Sequence, residues 1–234
     1  MKIVSKIKDR IFQSLFNGAR LSYSQSGEDL ILASILCHIT KGFYVDIGAN
    51  NPFIQSNTHY FYKQGWQGIN IDALPGGMMK FHEVRRRDIN LEIAISDKEE
   101  TLQYYMFSSS FFNTFSSEAA LKSKKVSNFI GTKNIQTNKL IDIFQKYIVS
   151  EIDFMSVDVE EKELQVLQSN DWSKYRPKII VLEYSAIGLP SIKNTPVYNM
   201  MISSGYSLFC NTSTNVFYLE NEFIRSRYGS NLNG

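Results

Sequence analysis

The stretch from Gly42 to Asp72, GFYVDIGANNPFIQSNTHYFYKQGWQGINID, constrains the fold more than any other part of the chain. An apolar run (Phe43, Tyr44, Val45) leads into Asp46 and the turn Ile47-Gly48-Ala49-Asn50. An amphipathic segment and a second apolar run ending on Asp72 follow. This is the pattern of strand, tight turn, helix and strand, with a carboxylate at the tip of each strand. In an open parallel sheet, ligands bind at the carboxyl ends of strands. An acid at the end of the second strand suits a ribose with two free hydroxyls, so the stretch points to an adenosine-type cofactor. A dinucleotide site would carry G-x-G-x-x-G. Here one glycine, Gly48, follows an acid, which disfavours a pyrophosphate and favours a ligand with positive charge and an amino group. S-adenosylmethionine has both.

The rest of the chain extends the same alternation. Strands are predicted over 42–46, 67–72, 91–95, 102–107, 152–157 and 178–182. Helices are predicted over 56–64, 76–87, 139–147, 161–168 and 195–203, the last with Pro196 in its first turn. Ser26 and Asp29 resemble a capping box before the apolar run Leu30 to Ile39. Two strands, 206–210 and 216–220, flank a polar NTSTN turn and read as a hairpin. The fold class is therefore α/β, a mainly parallel sheet with an antiparallel C-terminal hairpin strand. Strand ends at Asp46, Asp72, Asp158 and Glu183 share one edge of such a sheet.

The organisation predicted is an N-terminal basic amphipathic helix within 1–21, a main domain over 22–220 and a loose tail over 221–234. In residues 2–16, Ile3, Ile7, Ile11 and Leu15 form one stripe among Lys6, Lys8 and Arg10. Such a helix can lie on an anionic membrane, but packing on its own domain or on a second subunit is the favoured reading. Residues 108–134 are rich in Ser and Asn and carry Lys122, Lys124 and Lys125. They read equally as a mobile surface loop or as a lid.

A net charge of +2 gives no case for a nucleic-acid partner. The two cysteines, Cys37 and Cys210, lie in apolar segments, and the three histidines are scattered, so no zinc pattern is present. No apolar run approaches the ~20 residues that span a bilayer. The N-terminus lacks the apolar core and cleavage site of a secretory signal. A cytoplasmic location is expected.

Several blocks, taken in order, resemble the FkbM-type family of S-adenosylmethionine-dependent methyltransferases. They are Ser24-Gln25-Ser26-Gly27-Glu28-Asp29, Val45-Asp46-Ile47-Gly48-Ala49, Ser56-Asn57-Thr58, Gly65-Trp66-Gln67-Gly68-Ile69-Asn70-Ile71-Asp72, Arg87-Asp88-Ile89-Asn90-Leu91, Ser156-Val157-Asp158-Val159-Glu160 and Tyr175-Arg176-Pro177-Lys178. The resemblance implies a Rossmann-like class I methyltransferase fold and methylation of a hydroxyl, often on a sugar or natural product. It implies that Asp46, Gly48 and Asn50, with Ala49 in the same turn, line the methionine end of the cofactor. Asp72 would hold the ribose, Ala94 and Ile95 would flank adenine, and Asp158 would sit near the sulfonium and the acceptor. Gln25 and Glu28 either fold over the cofactor's amino-acid end or cap a helix. Candidate bases are Asp158, His59 and Glu160, in that order, although a lone histidine is more often structural. The sequence defines no metal ligand set.

Two positions depart from the family pattern. Asp72 stands where the family has Glu followed by Pro, and Glu161 stands where D-V-E-G has its glycine. The acceptor expected is a small sugar-type molecule, for example a surface-polysaccharide precursor. The alternatives are a phosphoryl-type or other small metabolite, or a cofactor-binding domain that has lost turnover. A homo-oligomer is compatible with the sequence.

Overall fold

The computed structural model describes residues 20–148, 151–184 and 189–229. The amphipathic segment 2–16 lies outside them. Five parallel strands form one side of the main sheet: β1 (Phe43–Ile47), β2 (Gln67–Asp72), β3 (Ile89–Glu92), β7 (Phe154–Val157) and β8 (Ile179–Glu183). The hairpin β9 (Tyr206–Asn211) and β10 (Asn215–Glu220) completes it, with β10 antiparallel to β8, giving the order β3-β2-β1-β7-β8-β10-β9. Strand order reverses between β1 and β7, the switch point where an open sheet leaves a crevice.

Every residue of β1 is buried, as expected for a parallel strand covered on both faces. Its odd-numbered residues Phe43, Val45 and Ile47 pack with helices α5 (Leu140–Tyr147), α6 (Glu163–Gln168) and α8 (Pro196–Ser203). Tyr44, on the other face, joins α1 (Glu28–Ile35), α2 (His59–Gln64) and α9 (Asn221–Tyr228) around Phe61, Trp66, Phe154 and Phe217. Gly65, at φ 101°, stops α2. Helices α3 (Met78–Val84) and α7 (Leu189–Ile192) complete the layers. Among the described residues no helix is long and apolar enough to cross a membrane.

Four sequence expectations are corrected. The expected strand 91–95 is divided: β3 stays in the main sheet, while β4 (Ala94–Ile95) turns out of it to pair with β6 (Phe129–Asn138) in a second, three-stranded sheet β4-β6-β5 with β5 (Thr101–Phe107). Much of 108–134 is therefore regular, including α4 (Ser117–Ser123) and a short 3₁₀ turn, Ser110–Phe112. The insertion is closed at its neck. Thr137 N–H donates to the Glu100 carbonyl, and Glu100 N–H donates to Thr137 Oγ1, both at 2.9 Å.

The capping box does not form. Gly27 caps α1 in a left-handed conformation, and Asp29 instead accepts from Ser22 Oγ (2.6 Å), Tyr23 N–H (2.7 Å) and Ser24 Oγ (3.0 Å), pinning the preceding strap. The tail carries α9, because Glu220 caps it through Phe223 N–H (2.7 Å) and Phe223 is buried.

Candidate functional site

A cavity of about 590 Å³ opens at the carboxyl ends of the parallel strands, within the ~300–1,000 Å³ common for small-molecule sites. Its wall includes Ile47 at the end of β1 and Gly48 after it, residues 71–74 at the end of β2, residues 93–98 around β4, residues 158–160 after β7, and Glu183. The insertion contributes Tyr104, Ser110, Phe111, Asn113, Thr114 and Phe115.

Gly48 sits at the switch point with φ 84°, and a Cβ placed there would lie 1.6 Å from the Asp158 carbonyl oxygen. Only glycine lets β1 and β7 approach this closely. The turn is fixed by Gly48 and Ala49 N–H groups, both donating to the Ile71 carbonyl (2.8 and 3.0 Å). Asn50, left-handed at φ 45°, then donates its N–H to Asp72 (2.7 Å). The other Asp72 oxygen accepts from Leu74 N–H (2.7 Å). Each oxygen retains a lone pair for a ligand hydroxyl. Burial pushes the Asp72 carboxyl upward, and the two backbone donors act against that rise. Ser110 Oγ donates to Asn50 Oδ1 at 2.8 Å, tying the insertion to the glycine turn.

Across the cavity the acids are held differently. Oxygens of Asp158, Glu160 and Glu183 lie within 4.8 Å of one another. Asp158 is open to cavity solvent, yet protein crowds its other sides and withdraws bulk water. That crowding, the neighbouring Glu183 charge and a hydrogen bond between the two side chains push Asp158 well above the usual carboxylate range. Glu183 is raised by burial and the other acids, while the bond with Asp158 lowers it. The two titrate as a pair. Burial and Asp158 push Glu160 up to about 7. Three acids at this spacing could hold a divalent cation or handle a proton.

The structure brings Gln25, Gly48, Asn50, Asp72, Ala94, Ile95, Asp158 and Glu160 to one cavity. Four expected site residues lie elsewhere. Asp46 is buried within β1 and accepts from Thr58 Oγ1 (2.9 Å); burial pushes its carboxyl up to about 7. The alternation of the strand gives the cavity to Ile47 instead. Ala49 packs with Met78 and Phe81. Glu28 accepts from Ser26 N–H, Thr212 Oγ1 and Asn215 Nδ2, joining α1 to the β9–β10 turn. His59 stands edge-on to Tyr23 and Phe53, at 4.6 and 5.3 Å between ring centroids.

The sequence reading did not single out Gln55, Asp97, Lys162 or Gln165, which also line the cavity. Asp97 follows the predicted adenine-flanking pair by two residues, which was the one available signal. The insertion's aromatic residues carried none, since their approach depends on the β5–β6 pairing.

An adenosine-type cofactor fits these residues. The Gly48 cradle would be filled by any Cβ, Asp72 is oriented by two backbone donors, and the acidic wall suits a cationic ligand.

A comparison with curated proteins gives no match. Among solved structures, the chain is similar to precorrin-6y C5,15-methyltransferase from Geobacter metallireducens, at 9% identity and a TM-score of 0.43, covering 82% of this chain and 88% of that one. It is also similar to the METTL16 MTase domain, at 11% identity and a TM-score of 0.44, covering 82% and 65%. At family level, residues 46–208, more than half of the chain, match the methyltransferase FkbM domain. The chain, with its α/β sheet and antiparallel C-terminal hairpin, belongs to the FkbM methyltransferase family.

Proposed function

We propose that the protein is an S-adenosylmethionine-dependent O-methyltransferase that acts on a hydroxyl of a sugar or sugar conjugate. The observation that carries this reading is the acid cluster of Asp158, Glu160 and Glu183 beside the Gly48 turn. The cofactor, when bound, supplies a methyl group on a sulfonium that departs as a neutral thioether. Asp72 would accept ribose hydroxyls, Gly48 and Asn50 would face the methionine portion, and residues 93–97 would flank adenine. The acceptor hydroxyl oxygen forms the new bond to carbon, and its proton passes to the Asp158–Glu183 pair. An alkyl hydroxyl needs such a base, and groups with raised pKa values are suited to the task at neutral pH. Three clustered carboxylates oppose an anionic acceptor, which favours a neutral hydroxyl over a phosphoryl group.

Glu161 supports an active enzyme. It adopts φ 73°, the conformation its replaced glycine would favour, and it is not among the residues lining the cavity. The test is formation of S-adenosylhomocysteine with a panel of sugar acceptors. Asp158→Asn is expected to lower kcat by roughly 10²–10⁴ and to leave S-adenosylhomocysteine affinity within a few-fold. Unchanged kcat in that variant overturns the assignment of the base. Absence of cofactor binding by calorimetry overturns the whole reading.

A further inference from the structure

The basic cluster Lys122, Lys124 and Lys125 plays no part in the cavity. It lies on the tip of the insertion, in the run LKSKKVSNFI from Leu121 to Ile130. Four large apolar side chains in that run are open to solvent: Leu121 at 64%, Val126 at 69%, Phe129 at 41% and Ile130 at 66%. They sit where α4 ends and β6 begins, among exposed lysines. Lys124 Nζ lies 4.4 Å from the centre of the Phe129 ring. Lys122 pairs with Glu118 at 3.3 Å. Beyond Glu118 the chain carries no carboxylate before Asp142, so nothing in the run itself offsets the other lysines.

Single exposed apolar residues are ordinary, but a cluster rimmed by polar groups marks a contact surface. Lysine is depleted from protein–protein interfaces, which favour Arg, Tyr and Trp. Single-stranded nucleic acid calls for aromatic platforms that stack bases, and the only ring in this run is already covered by Lys124. Aliphatic side chains among lysines suit a bilayer. The apolar groups enter the acyl boundary while the ammonium groups meet anionic headgroups, their stems lying along the apolar surface.

We propose that residues 121–130 dock the protein onto an anionic lipid bilayer. The contact is independent of the methyl-transfer reading. It also gives the insertion two tasks, since Tyr104, Ser110, Phe111 and residues 113–115 of the same unit line the cavity. A docked tip would hold that wall at the membrane surface.

Vesicle co-sedimentation of the full chain tests the proposal, comparing phosphatidylglycerol-containing vesicles with pure phosphatidylcholine. Binding to the anionic vesicles is expected, and it should weaken at high salt. The variant Lys122→Glu/Lys124→Glu/Lys125→Glu should lose on the order of a hundredfold in partitioning or more. Leu121→Ser/Val126→Ser/Ile130→Ser should lose about tenfold or more. A Val126→Trp variant should be quenched by brominated acyl chains, which reports insertion directly. Unchanged thermal unfolding and unchanged S-adenosylhomocysteine affinity would show that the variants are folded and that the cavity is intact. Failure of the parent protein to bind anionic vesicles overturns the proposal. So does undiminished binding by the lysine variant, which would move the contact to another segment such as 2–16. Loss of self-association in the serine variant with vesicle binding intact also overturns it, and makes the patch an interface between copies.

Discussion

Asp72 and Asp158 face one cavity from the ends of parallel strands, and both carboxyls are raised by burial. Their partners differ. Asp72 is met by two backbone N–H groups, fixed donors that stabilise its charge and orient its oxygens. Asp158 is met by Glu183, whose charge and hydrogen bond penalise its ionised form, and its own charge in turn raises Glu160. A carboxylate held by donors serves as an acceptor for ligand hydroxyls. One crowded by other acids is suited to taking up a proton. The same residue type at equivalent strand ends is thereby directed to two tasks by what the neighbouring loops present.

The largest expected effect comes from the point where the two sides touch. Gly48→Ala would press a Cβ onto the Asp158 carbonyl and strain a left-handed backbone. It should cost about 3 kcal/mol in denaturant unfolding and abolish S-adenosylhomocysteine binding measured by calorimetry. Asp72→Ala should act on one side alone. It strands the Asn50 and Leu74 N–H groups and should weaken S-adenosylhomocysteine binding roughly 30-fold, about 2 kcal/mol. Equal binding by this variant would remove the distinction drawn between the two acids.

Glu160 sharpens the comparison through pH. Its carboxyl, ordinarily near 4.5, stands at about 7 in the folded protein. The folded state therefore holds the proton more tightly. The contribution of this group to stability is complete below pH 4.5 and fades as pH rises through about 7. Glu160→Gln should gain in melting temperature over the parent between pH 5 and pH 8, and a constant difference would contradict the shift. The smallest effect concerns Glu161. Relief of its positive φ by Glu161→Gly, offset in part by glycine's unfolded-state entropy, should stabilise by about 1 kcal/mol. That corresponds to roughly 2–4 °C in melting temperature for a chain of this size.

Where side-chain pattern and burial coincide, the sequence was sufficient. Strand β8 and the Gly65 stop of α2 were legible, because a covered parallel strand is largely apolar and a helix end often needs a left-handed residue. Strand β6 was not. Of its ten residues only Thr137 is fully buried, and Gly131 interrupts it, so it shows no alternation and is held by its ladder with β5. Asp46 and Asp72 near the ends of β1 and β2, and Asp158 after β7, were visible in the sequence, but strand alternation alone could not tell that Thr58 would claim Asp46. The place of Glu28 was not legible, because its bonds to Thr212 and Asn215 span nearly the whole chain.

The mutual hydrogen bonds of Glu100 and Thr137 make the insertion an excursion that begins and ends at the same place. The main sheet's path is indifferent to what lies between those two residues. The unit could therefore be lengthened, shortened or exchanged as a cassette, reshaping one side of the cavity at the cost of the Ser110–Asn50 bond while the strands that carry the carboxylates keep their path.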